Sequence, residues 1–157
     1  MSKQYEIEKK YLIKEIPFSL DSYPRHKLEQ AYLCTDPVIR IRREDDQYIL
    51  TYKGSGLLIR EEYNLPLTKE GYLHLLPKAD GNIIRKTRYL IPIKGSSHTI
   101  ELDVFEEPFS SLILAEVEFN SVEDATLFSA PDWFGKEVTN DTNYHNSTMS
   151  KMNLSAE

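Results

Sequence analysis

Along most of this chain polar and apolar residues alternate with a period of two, the spacing at which a β-strand sends successive side chains to opposite faces. The run from Tyr5 to Tyr11 sets the pattern: Glu6, Glu8 and Lys10 project to one side, and Tyr5, Ile7 and Tyr11 to the other. The same reading predicts strands over 4–14, Leu28–Thr35, Val38–Arg43, Gln47–Lys53, Leu58–Leu65, Ile83–Pro92, Thr99–Phe105 and Leu112–Phe119. Asp36-Pro37, Glu44-Asp45-Asp46 and Lys94-Gly95-Ser96-Ser97 supply turn chemistry between them, and Gly54-Ser55-Gly56 breaks another pair. Two stretches change period. Thr68–Leu76 predicts a helix capped by Thr68, with Leu73, Leu75 and Leu76 as its apolar stripe, and Ser121–Ser129 a second, with Ser121 and Asp124 at capping-box spacing. Residues 17–26 predict a connection with one helical turn, and Asp141–Asn153 a short helix. No internal repeat, low-complexity run or linker interrupts the sequence. Eight consecutive strands with two or three helices at the side predict an α+β, mainly β fold: a barrel or strongly curved sheet.

At 157 residues and 18.3 kDa the chain fits one domain, 1–157, with enough length to bury a core. Its 40% hydrophobic and 28% charged content is that of a globular protein. A net charge of −6 counts against general nucleic-acid binding, where a basic footprint is expected. The single cysteine, Cys34, precludes an internal disulfide, fits a reducing compartment and reads as a small strand residue. Charge runs through residues 1–15, so no signal peptide is expected, and no apolar run is long enough to span a bilayer. A cytoplasmic protein, monomer or homodimer, without membrane partners is the expectation.

The polar faces of the strands change the picture. They carry Arg40 with Arg42, Thr51 with Lys53, Arg60 with Glu62, Lys86 with Arg88, Glu101 with Asp103, and Glu116 with Glu118. A half-buried strand ordinarily turns its polar face to water, which is the plain reading of any one of them. Solvated surfaces intersperse signs, however. Here like charges repeatedly stand two residues apart, roughly 7 Å on a strand, where their repulsion matters. A ligand of opposite sign explains that sorting better. Clustered carboxylates without histidine or cysteine suit hard ions such as Mg²⁺ or Mn²⁺, and clustered arginines suit phosphate oxygens. His26, His74, His98 and His145 fit no metal-ligand spacing. Alternation leaves open whether the charged faces point into a barrel or out of a sandwich.

The segments Glu6-Ile7-Glu8-Lys9-Lys10, Leu28–Leu33, Ile39–Arg42, Thr51-Tyr52-Lys53, Arg60–Tyr63, Lys86–Tyr89, Ile100–Phe105, Leu114–Phe119 and Trp133–Thr139, followed by Tyr144 and Asn146, occur in an order that resembles the CYTH superfamily, the triphosphate tunnel metalloenzymes. The compact length is similar to small bacterial members that hydrolyse inorganic triphosphate. The resemblance implies a closed eight-stranded antiparallel tunnel with the charges inside. It implies cleavage of tripolyphosphate to pyrophosphate and phosphate with two divalent ions, Mg²⁺ or Mn²⁺. Lys10, Arg40, Arg42, Lys53, Arg60, Lys86 and Arg88 would grip the polyanion. Glu6, Glu8, Glu62, Glu101, Asp103, Glu116 and Glu118 would hold metal directly or through water. Glu6, Lys10, Tyr32 and Glu118 would take part in the chemistry, Lys10 by orienting the acids or meeting the terminal phosphate, and Tyr32 by helping to activate water. The tail Thr142–Ser147 departs from the pattern, because relatives often carry a base beside the tyrosine or after the asparagine. Nucleoside or thiamine triphosphatase, class IV adenylyl cyclase and a non-catalytic polyphosphate-binding module are the alternatives.

Overall fold

A computed structural model of the chain describes residues 5–152. Eight strands form a closed antiparallel barrel. They are β1 (Tyr5–Leu12), β2 (Arg25–Thr35), β3 (Val38–Glu44), β4 (Gln47–Lys53), β5 (Ile59–Pro66), β6 (Asp80–Pro92), β7 (Thr99–Phe105) and β8 (Ile113–Glu118). The helices are α1 (Lys69–Leu75), α2 (Val122–Leu127) and α3 (Asn146–Met149). The expected barrel is therefore what forms, but its strand order is β1-β5-β4-β3-β2-β6-β7-β8 rather than one continuous meander. Two meanders, β2–β5 and β6–β8, lie side by side, and β1 closes the gap between them. Its first half, Tyr5–Ile7, pairs with β5, and its second half, Glu8–Leu12, pairs with β8. The connection from β1 to β2 is too long for a hairpin, so β1 is free to join strands distant in sequence.

Local chemistry accounts for the tight places. Glu44 pairs with Gln47, leaving Asp45-Asp46 as a two-residue turn in which Asp45 takes φ 54°. Aspartate tolerates that left-handed conformation better than most residues. Residues 17–24 form turns without the expected helical turn, since Pro17 and Pro24 deny it backbone donors, and β2 starts already at Arg25. Thr68 Oγ1 caps α1 by accepting from Gly71 N, and Ser121 Oγ caps α2 by accepting from Asp124 N. The stripe on α1 differs from expectation. Tyr72 is buried and Leu75 and Leu76 pack beside it, whereas Leu73 is 53% exposed. Positions 72, 75 and 76 share one helical face, and 73 falls outside it. The expected tail helix is short, and the part of that expectation at Asn153 lies outside the described residues.

The barrel is inverted with respect to charge. Three apolar clusters lie around or across it. One joins Leu102, Ala115, Val117 and Phe119 to α2 and the Trp133-Phe134 segment, and another joins Ala31 and Ile41 to Tyr72 of α1. The third, with Tyr32, Ile84, Phe105, Leu114, Val138 and Met149, brings the tail against one end of the barrel. Gly81 allows that approach: at φ +73°, an added Cβ would stand 1.9 Å from Ser150 O. Asn82 fastens the tail by donating from Nδ2 to Met149 O and Met152 O. Among the described residues no helix is long and apolar enough to cross a membrane.

Candidate active site

The register turns the alternating charges inward. Glu6 stands opposite Arg60, Lys10 opposite Glu116, Tyr32 opposite Arg40, Gln30 opposite Arg42, Lys53 opposite Glu62, and Arg88 opposite Asp103. Most of these residues surround a cavity of about 730 Å³ of unfilled space, its mouth included. Glu6, Glu8, Lys10, Tyr32, Arg40, Arg42, Lys53, Arg60, Glu62, Arg88, Glu101 and Glu116 line it. These positions belong to β1–β8 in turn, so every strand of the barrel supplies at least one.

The lining interleaves acids and bases. Glu6, Glu8 and Glu116 crowd around Lys10 and Lys53. Lys53 Nζ meets Glu6 Oε1 at 2.8 Å and Glu62 Oε2 at 3.6 Å. Lys10 Nζ lies 3.7 Å from Glu116 Oε1 and donates to Tyr144 O at 3.1 Å. Burial pushes Glu8 well above the usual carboxylate range, and the charges of Glu116 and Glu6 push it further. Burial acts on Glu116 too, but Lys10, Arg88 and Lys86 overcome it and hold that carboxyl well below the ordinary value. Glu6 also ends below it, because Lys53 outweighs burial. Burial raises Glu62 and Glu101.

The arginines divide by their partners. Arg40, Arg42 and Arg60 have no carboxylate within ion-pair distance among the described residues. Arg40 Nη2 donates to Thr51 Oγ1, while its Nε is buried with no partner at all. Arg42 Nε and Nη2 both donate to Gln30 Oε1, at 2.9 and 2.6 Å. Burial, aided by repulsion from Arg40 and Arg88, lowers Arg42 to about 9. Arg88 differs, because Asp103 takes it bidentately at 2.7 and 2.8 Å and outweighs burial, lifting it well above the ordinary value.

Three of the residues expected at the site stand apart from the cavity. Lys86 and Asp103 are fully buried and pair with each other at 2.7 Å, outside the lining. Lys86 also donates to Asn146 Oδ1 and lies 5.2 Å from the Phe105 ring centre. Glu118 pairs with Glu8 in register but sits at the exposed end of β8, also outside the lining. Conversely, Val38, Leu57, Thr139, His145, Asn146 and Ser147 line the cavity without having been expected there. Thr139 and the residues that follow it come from the tail, where no alternation marks a face. Burial, reinforced by Lys10, lowers His145.

Residues 4–155 match the model of the CYTH domain family. The chain is 38% identical over 148 residues to the inorganic triphosphatase of Nitrosomonas europaea, covering 92% of this chain and 95% of that one. It is 31% identical over 150 residues to the inorganic triphosphatase of Acetivibrio thermocellus, with 93% of each chain covered. The crystal structure of an inorganic triphosphatase matches with a TM-score of 0.71 at 33% identity, covering 98% of this chain and 97% of that one.

Proposed function

The chain belongs to the CYTH domain family, and from that premise we propose that it hydrolyses inorganic triphosphate to pyrophosphate and phosphate inside the barrel. One observation carries the reading: among the described residues the cavity arginines Arg40, Arg42 and Arg60 have no carboxylate partner, and Arg40 has an unpartnered buried Nε. Buried cations need a counter-charge. A polyanion whose oxygens can take arginine donors in pairs supplies it. The two similar chains named as inorganic triphosphatases support the same substrate. A substrate without an organic group is supported by the lining's predominance of charged and polar side chains, with Val38 and Leu57 the purely aliphatic members among the described residues.

The carboxylates suit a divalent ion, Mg²⁺ or Mn²⁺, by chemistry: oxygen donors only, with Glu8 crowded by Glu116 and Glu6 in a way that a cation relieves. Among the described residues no group of three ligands is already gathered about one point, because Lys53 and Lys10 engage Glu6 and Glu116. Glu6, Glu8 and Glu116, with Glu62 and Glu101 beside them, would hold the metal, in two sites as the family resemblance implies. A bound ion of this kind supplies neutralisation of phosphoryl charge and a more acidic water. Arg40, Arg42, Arg60, Arg88 and Lys53 take the oxygens of the triphosphate and fix its chain. Lys10, which donates to Tyr144 O and lies near Glu116, would orient the acids or meet the terminal phosphoryl group. Water attacks the terminal phosphorus, the bond to the bridging oxygen breaks, and pyrophosphate leaves. Positioning and charge stabilisation are what such a reaction asks of a protein. Lys86 and Asp103 act from outside the cavity by holding Arg88 in place.

Phosphate release is measured from tripolyphosphate, ATP, thiamine triphosphate and pyrophosphate, each with Mg²⁺, Mn²⁺ or EDTA. Tripolyphosphate is cleaved in the presence of metal, EDTA stops the reaction, and pyrophosphate is spared. Cyclic AMP from ATP moves the assignment to a cyclase. Absence of any release from tripolyphosphate removes it.

A further inference from the structure

Gln30 is fully buried on β2, facing the interior one position before Ala31 and two before Tyr32. Its amide joins two cavity residues. Gln30 Oε1 accepts from Arg42 at 2.6 and 2.9 Å, and Gln30 Nε2 lies 3.3 Å from the Tyr32 hydroxyl. The orientation of this amide is settled by its neighbour. A guanidinium has donors and no acceptor, so the amide oxygen must face Arg42 and the NH₂ must face Tyr32. The opposite flip would set donor against donor at 2.6 Å. Gln30 therefore donates to Tyr32 Oη, and the tyrosine receives rather than gives in that contact. No other described residue accepts the Tyr32 proton, and Tyr32, only 3% exposed, lines the cavity.

We propose that Gln30 is a positioning residue that, held by Arg42, turns the Tyr32 hydroxyl proton toward the cavity, making Tyr32 a hydrogen-bond donor to a phosphoryl oxygen of the bound triphosphate. This rests on the proposed triphosphatase activity and deepens it. Tyr32 thereby contributes through donation, where charge builds up on the phosphoryl oxygens, and not through taking a proton from water. The chain Arg42–Gln30–Tyr32 also spreads the influence of one buried cation over two contacts with the substrate. Arg42 would meet it directly, and Tyr32 is oriented by way of Gln30.

Gln30→Glu isolates the effect. A carboxylate still accepts from Arg42 and keeps that cation paired, but toward Tyr32 it can only accept, so the hydroxyl proton swings away from the cavity. Gln30→Met removes the donor without inverting it. Both changes are made in the wild-type and the Tyr32→Phe chains, and kcat and KM are measured for tripolyphosphate with Mg²⁺. In the wild-type background Gln30→Glu lowers kcat on the order of 10²-fold with KM little changed, and Gln30→Met lowers it less. In the Tyr32→Phe background neither change alters kcat by more than about twofold, because the group they act through is gone. Equal losses in both backgrounds, an unchanged kcat, or a raised KM at constant kcat overturns the inference. So does failure of both Gln30 variants to fold, which makes the residue purely structural. A wild-type chain that releases no phosphate sinks the proposed function and this inference together, whereas an active wild type with the wrong variant pattern sinks this inference alone.

Discussion

Lys86 and Lys53 each meet a carboxylate inside the barrel, 2.7 Å from Asp103 and 2.8 Å from Glu6, yet only the second pair faces the cavity. Lys86 and Asp103 are sealed. Arg88 completes the coordination of Asp103, Asn146 and the Phe105 ring surround the ammonium, and neither side chain touches solvent. Burial lowers Lys86 to about 8 against the pull of Asp103, while Arg88 and Lys86 hold Asp103 below its ordinary value against burial. Lys53 sits between Glu6 and Glu62 on the cavity, where the proposed function would have its contacts remade around an incoming polyanion or cation. The same pair of functional groups thus holds shape where nothing can enter and remains exchangeable where a ligand can.

The largest effect falls on the sealed pair. Asp103→Ala leaves Lys86 buried without its counter-charge and frees Arg88, which costs about 3–5 kcal/mol. The melting temperature of the ligand-free chain falls on the order of 10 °C. A change within about 2 °C would erase the distinction between the two pairs.

Lys53→Ala tests the exchangeable pair. It removes the proposed charge-assisted contact to substrate, so KM for tripolyphosphate rises roughly tenfold while the ligand-free melting temperature moves little. A large melting-temperature drop without a change in KM would place Lys53 with Lys86 instead.

Glu8→Gln sharpens the comparison with the smallest effect. Burial and the neighbouring acids raise Glu8 in the folded chain above its unfolded value. Between those two values the folded form binds the extra proton, so stability falls as pH rises through that window. Glutamine removes the penalty. In EDTA the variant melts above the wild type at pH 7.5, by about 2–4 °C for each kcal/mol relieved, and the two converge near pH 4. An equal difference at both pH values would show that the change does not arise from Glu8 ionisation.

The strands were legible because period-two alternation is a local property. Glu6, Glu8 and Lys10 on one side and Tyr5, Ile7 and Tyr11 on the other could be read from the chain alone. Depth was not legible. Arg88 lines the cavity while Lys86, two residues away on the same face, is sealed beneath Phe105 and the tail. Alternation assigns both to one side and says nothing about distance along the barrel axis. Glu118 has the same parity as Glu116, yet it ends β8 at an exposed rim. Thr139, His145 and Asn146 reach the lining from a segment with no strand period, so alternation did not assign them to the cavity, although Thr139 and Asn146 lay in the segments that resemble the family. Gln30 carried no signal of its own, since its partner Arg42 is brought opposite it only by strand register.

By itself the sequence determined which side chains share a face, where the turns fall and which signs of charge cluster, because these follow from backbone geometry over a few residues. Tertiary structure decided that the charged faces point inward, which alternation left open and the family resemblance implied, that β1 closes the ring between β5 and β8, and that the tail packs against one end. Those outcomes depend on contacts between distant segments, such as Lys86 with Asn146 and Gly81 with Ser150. Closing the barrel buries the charges together, and their energies then depend on which opposite charge, or which ligand, each one meets.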